Sequence, residues 1–245
     1  MNQAIKLVVL FVVWQVSAVV AGDTIHWGYE GEQGPAHWGS LAEEFSACGD
    51  GRNQSPVDLA ANLDPDLPEL VFNYNQPRLL EEVNTGHAIQ ENVHPGNMLR
   101  VLGKSFELKQ FHFHSPSEHT LQGQHFPMEM HFVHQDEAGN YAVVGLMVEE
   151  GAHNPLLDRL PSFRAERGED PYADLIDYNE LFAGRQDYFL YNGSLTTPPC
   201  SEGVQWLVMK QPLVASAGQI QHYRDLLGFA NNRPVQPQNS RLILQ

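Results

Sequence analysis

Between Leu99 and His114 the chain reads LRVLGKSFELKQFHFH, and in its last five residues polar and aromatic side chains alternate strictly. Successive side chains of an extended strand point to opposite faces. Phe111 and Phe113 therefore face one way, and Gln110, His112 and His114 the other. A helix would scatter both sets around its axis. The segment must be a strand with an apolar back and an imidazole front. Any fold that accommodates it has to cover the back and give the histidines partners.

Four other stretches show the strand pattern: Met128–Gln135, Tyr141–Glu150, Asp187–Leu195 and Val204–Pro212. Gly139-Asn140 predicts a turn between the first two. Helical signals are fewer. NPLLDRLPSF and YADLIDYNELF predict one or two turns each, and AGQIQHYRDLLG predicts an amphipathic helix ending at Gly228. There is no internal repeat, heptad pattern or low-complexity linker. The expected fold is mainly β (α+β), a single domain over 22–245. It should be built on a large, mostly antiparallel twisted sheet of about ten strands with short peripheral helices. The final NNRPVQPQNSRLILQ is irregular and is expected to wrap the body.

With 30 acidic residues against 14 basic ones the net charge is -16, which disfavours nucleic acid and anionic lipid as partners. The N-terminus places Lys6 before LVVLFVVW and ends in small residues at Val19 and Ala21. That pattern predicts a secretory signal peptide over 1–21, with cleavage after Ala18 as the rival and a membrane anchor as the alternative. The protein is then exported, to the periplasm or the extracellular space, with no membrane association after cleavage. Export points the two cysteines, Cys48 and Cys200, towards one disulfide, with two buried thiols as the alternative.

In EMHFVH, Glu129, His131 and Val133 share one strand face, and Met130, Phe132 and His134 the other. If this strand pairs antiparallel with Gln110–His114, three imidazoles converge. Three neutral nitrogens with one position left open suit a catalytic zinc ion. Gln110 and Glu129, each two residues before a histidine, are candidates to orient the rings. The remaining histidines, including His119 and His134, lack this arrangement and are read as structural or surface residues.

SEHTLQGQHFPMEMHFV, with QFHFH before it, resembles the signature segment of the alpha-class carbonic anhydrases. HWGYEGEQGPAHWG, CGDGRNQSPVDL, NTGHAIQ, GSLTTPPCSEGVQWLV and NNRPVQP resemble further family segments in the family order. The resemblance implies one zinc ion per chain held by His112, His114 and His131. It implies that Thr196 hydrogen-bonds a zinc-bound hydroxide and passes that bond to Glu118, and that Thr197 positions bicarbonate. Val133, Val143, Leu195 and Trp206 would line a carbon dioxide pocket. His87 would shuttle protons, with Tyr29, Thr85 and Gln90 beside a water chain. Thr85 and Gln90 replace asparagines often found there in vertebrate members. The cysteines fall where secreted and bacterial members carry their disulfide. Sulfonamide and inorganic-anion inhibitors, and a possible homodimer, are further expectations from the family.

The reaction implied is the zinc-dependent reversible hydration of carbon dioxide to bicarbonate and a proton. An exported proton needs a group titrating near neutrality, which imidazole supplies. Two other readings remain open at this stage. HFHSPSE also fits the His-x-His-x₃-Glu ligand spacing of cupin oxygenases, with Glu118 as ligand. A catalytically silent carbonic-anhydrase-like binding domain is the non-enzymatic alternative.

Overall fold

A computed structural model describes residues 25–76, 78–163 and 176–245. The signal peptide expected over 1–21 lies outside the described residues. Among the described residues eleven strands follow one another: β1 (Val71–Tyr74), β2 (Leu79–Asn84), β3 (Ile89–Val93), β4 (Asn97–Val101), β5 (Lys104–His114), β6 (Thr120–Leu121), β7 (Gln124–His125), β8 (Met128–Gln135), β9 (Tyr141–Glu150), β10 (Tyr188–Ser194) and β11 (Glu202–Ala215). Nine of them form one sheet in the order β1-β4-β5-β8-β9-β11-β10, with β3 on the edge of β5 and β2 outside it. The pairings are antiparallel except β9 with β11. The mostly antiparallel sheet expected from the alternating segments is present.

The Leu99–His114 stretch is two strands. Leu102 and Gly103 both take positive φ, 50° and 74°, which is the backbone of a tight two-residue hairpin turn. Asp136 ties the β8–β9 turn, its carboxylate accepting from the backbone N–H of Ala138 and Asn140, and Gly139 takes φ +88°. β11 runs past Pro212 to Ala215. Its register against β9 shifts between Met209 and Leu213, which absorbs a proline that cannot donate to the ladder.

The sheet separates two apolar layers. Phe111, Phe113 and Phe132 belong to the larger one, with Leu99, Leu146 and Tyr178. Val143, Trp206 and Val208 belong to the smaller one on the opposite face. Helix α1 (Trp38–Leu41) and α2 (Ala47–Asp50) are single turns near the start of the described chain. Helix α3 (Ala217–Leu227) closes the larger layer with Ile220, Tyr223 and Leu227. It starts at a Ser216–Gln219 capping box and stops at Gly228, φ +82°. Single turns at Leu157–Arg159, Pro161–Phe163 and Tyr178–Phe182 are the predicted peripheral pieces.

Cys48 and Cys200 are bonded, with Cα atoms 5.0 Å apart. The C-terminal segment crosses the body without regular structure and buries Arg233. That guanidinium donates to Gln54 Oε1, Ser55 O and Cys48 O. Among the described residues no helix is long and apolar enough to cross a membrane.

Candidate metal centre

β5 and β8 pair antiparallel with His112 opposite His131, so the register itself brings the histidine faces together. Each ring has one nitrogen fixed by an acceptor. His112 Nδ1 donates to Gln110 Oε1 at 2.8 Å, and His114 Nδ1 to the Asn231 carbonyl at 2.7 Å. His131 Nε2 donates to Glu129 Oε1 at 2.9 Å. A neutral imidazole carries one N–H. The other three nitrogens, Nε2 of His112 and His114 and Nδ1 of His131, are therefore bare lone pairs that converge. Those of His112 and His114 lie 3.1 Å apart, close enough for one ion to be held by both. The donor set is neutral, all-nitrogen and threefold, which fits zinc.

Burial keeps these rings unprotonated. It holds His112 well below the usual histidine range, with His114 and His131 adding to the effect. His114 falls to about 4 for the same reason, and His131 is also lowered. Burial would raise Glu129, but His119 and His131 outweigh it and hold the carboxyl well below its ordinary value. Glu129 is thus an anion, and it also accepts from His119 Nδ1 and from the backbone N–H of Glu118 and His119. His119 Nε2 meets Tyr191 Oη at 2.6 Å. Gly145 faces His131 across the ladder, and a Cβ there would come within 3.0 Å of Glu129 Oε1.

Glu118 is fully buried. The Arg233 N–H donates to its Oε1 at 2.8 Å, while its Oε2 lies 3.5 Å from His114 Nε2 and 3.8 Å from His131 Nδ1. Burial pushes this carboxyl up to about 7, against the lowering effects of His131, the Arg233 N–H and the Thr196 hydroxyl. A cation held by the imidazoles would favour its ionised form. A cleft of about 420 Å³ opens over the histidines, lined among others by Val133, Val143, Leu195, Thr196, Thr197 and Trp206. Its lining mixes these apolar side chains with polar ones such as Gln90, Lys109 and Gln110.

A sequence profile described as eukaryotic-type carbonic anhydrase matches residues 33–245. The chain belongs to the carbonic anhydrase family. A carbonic anhydrase from Pectobacterium carotovorum is 44% identical over 230 residues, 91% of this chain and 92% of its own length. The alpha-carbonic anhydrase of Thermovibrio ammonificans, solved with the inhibitor sulfanilamide, matches with a TM-score of 0.84 at 42% identity. That match covers 91% of this chain and 100% of the other. The Photobacterium profundum alpha-carbonic anhydrase matches with a TM-score of 0.82 at 42% identity, over 90% and 100% of the two chains. Reversible hydration of carbon dioxide is the activity these relatives support for this carbonic anhydrase, and membership removes the cupin reading of HFHSPSE.

Of the residues expected from the sequence, the three histidines, Gln110, Glu129, Glu118, Thr196 and the pocket residues come together at one place. Gln90 also lines the cleft, where it pairs with His112 in the ladder and donates to Asn92 Oδ1 at 2.7 Å. Tyr29 and His87 instead line a separate hollow with His26 and Trp27. The His87 ring stacks on Trp27 at 3.6 Å with 12° between planes. Thr85 holds the turn that carries His87, its hydroxyl donating to Ala88 O and accepting from the His87 and Ala88 N–H groups.

Sequence reasoning passed over Asn231, which orients His114 through its carbonyl, accepts from Ser115 N and donates to the carbonyls of Phe113 and His87. A backbone acceptor has no side-chain signature. It also passed over Arg233 as a partner of Glu118, though Asn231 and Arg233 both lie in the NNRPVQP segment. His119, read from the sequence as a structural residue, sits between the Glu129 carboxylate that orients His131 and the Tyr191 hydroxyl.

Proposed function

We propose that this carbonic anhydrase hydrates carbon dioxide at the His112–His114–His131 centre, with one zinc ion bound there. The observation that carries the reading is the set of three bare nitrogens, each made bare by an acceptor on the far side of its ring. When bound, zinc supplies Lewis acidity, bringing the pKa of water towards neutrality so that a hydroxide nucleophile is available.

The chain's own groups supply the rest. Gln110, Asn231 and Glu129 hold the tautomers and ring orientations. Thr196 has one proton to give. If the Glu118 carboxylate takes it, the hydroxyl oxygen can only accept, so the attacking oxygen must turn its proton to Thr196 and a lone pair to the pocket. Val133, Val143, Leu195 and Trp206 present an apolar wall that suits an uncharged linear substrate and not its charged product. Thr197 positions bicarbonate. His87 carries protons between the site and solvent through waters near Tyr29, Thr85 and Gln90. Burial and the nearby His26 lower its pKa, which speeds release of a proton at neutral pH.

The 1–21 segment acts as a signal peptide, and the Cys48–Cys200 bond supports export to an oxidising compartment. Sulfonamide inhibition is supported by the sulfanilamide complex of the Thermovibrio relative. Inhibition by inorganic anions and assembly as a homodimer are finer parts of the same proposal. The deciding experiment is stopped-flow carbon dioxide hydration beside zinc content for the wild type and His112→Ala. Stoichiometric zinc and fast hydration in the wild type alone are expected. Equal activity in the two proteins would refute the ligand assignment.

A further inference from the structure

Phe106 and Leu108 face the larger core, and so do Phe111 and Phe113, although even and odd positions of one strand should face opposite ways. The parity changes because β5 carries an extra residue. Leu108 pairs with His134 and Gln110 with Val133, which leaves Lys109 without a partner on β8. At the same point β5 changes neighbours on its other edge, from β4 to β3. In a regular strand Lys109 would share the core face with Phe111. The bulge turns it out, and it is exposed and lines the metal cleft beside Gln110.

Among the described residues lining that cleft, Lys109 is the only one with a permanent charge. The chain as a whole carries -16, a field that repels bicarbonate, the anionic member of the reaction. We propose that Lys109 is a specificity-determining residue that draws bicarbonate, and monovalent anions in general, to the mouth of the cleft and sets their affinity. The assignment rests on the carbon dioxide–bicarbonate reading of the site. Glu107 opposes it. Its carboxylate ion-pairs with Lys109 and also accepts from the Gly96 N–H at 3.0 Å. Beyond it, the hollow that Lys109 also borders carries Asp136 and Glu137 against Lys104. Lys109 attracts an anion and Glu107 restrains that attraction, so neutralising each should move anion affinity in opposite directions.

The test takes the zinc-loaded enzyme at low ionic strength. It reads the inhibition constants of bicarbonate and thiocyanate, and the dissociation constant of thiocyanate by titration calorimetry. Two unit charges ~6 Å apart in water interact by an amount worth about threefold in affinity. Lys109→Gln should raise all three constants about threefold, Glu107→Gln should lower them about threefold, and Lys109→Arg should stay near the wild type. These differences should shrink as ionic strength rises. Constants that stay put in both glutamine variants, or move the same way in both, overturn the role of Lys109 while hydration itself persists. A wild-type protein that does not hydrate carbon dioxide removes the reading beneath it as well.

Discussion

His131 and His134 stand three residues apart on β8 and face opposite sides of the sheet. Both are buried, and burial lowers the pKa of both. They differ in what their nitrogens meet. His134 has a partner on each side, Tyr74 Oη at 2.7 Å and the Ala142 carbonyl at 3.3 Å. His131 gives its Nε2 proton to Glu129 and turns a bare Nδ1 towards two other bare nitrogens. A depressed pKa therefore does not mark a metal ligand. What sets His131 apart is a nitrogen left without a proton to share.

The largest expected effect comes from breaking that difference on the ligand side. His131→Ala should lose stoichiometric zinc and bring hydration to the uncatalysed background, read by metal analysis and stopped-flow. Chelating zinc from the wild type should lower its melting temperature, because the ion binds only the folded chain. The His131→Ala melting temperature should ignore the chelator, and a chelator response there would argue for a different ligand set. Next comes Glu129→Gln, which leaves the three ligands but takes away the anion that orients His131. Zinc affinity should fall about 10- to 100-fold in a competition assay.

Breaking the comparison on the other side should cost stability and spare the metal. His134→Ala leaves the Tyr74 hydroxyl buried without its partner and opens a cavity. A loss of about 2–4 kcal/mol in urea unfolding is expected, with zinc still bound one per chain. The smallest effect is a change of slope with pH. Burial lowers the folded-state pKa of His134 from its ordinary value to about 4. As pH falls below about 6.5 the unfolded chain takes up a proton that the folded chain refuses until about 4. Its contribution to stability is thus complete above about 6.5 and is lost on the way down to about 4, up to about 3 kcal/mol. His134→Gln should flatten the stability profile in that window, and an unchanged profile would place the acid sensitivity elsewhere.

Much of this contrast was legible before any coordinates. The limits Met128–Gln135 and Tyr141–Glu150 coincide with β8 and β9, and the helix ending at Gly228 is where its caps put it. Period-two alternation survives wherever one sheet face is apolar and the other polar, and that set both the ligand face and the Phe face. Strands β1, β2 and β3 escaped notice. β2 buries only Leu79 fully, so it shows little alternation to detect. The bulge at Lys109 was hidden for a related reason: an extra residue looks like any other until its partner strand is known. The break at Leu102-Gly103 was missed because the alternation resumes on its far side. The orienting carbonyl of Asn231 is a fact of distant chain segments meeting, and only the folded chain contains it.

Asn231 has a consequence for how the protein matures. The histidines on β5 and β8 leave the ribosome well before the segment that holds His114 in place. A chain still being made, or one clipped after Gly228, would own all three histidines of the proposed zinc site without the clasp that aims one of them. The aim of the proposed metal site would then wait until the segment around Asn231 has been made and laid across the sheet, against parts that are already present.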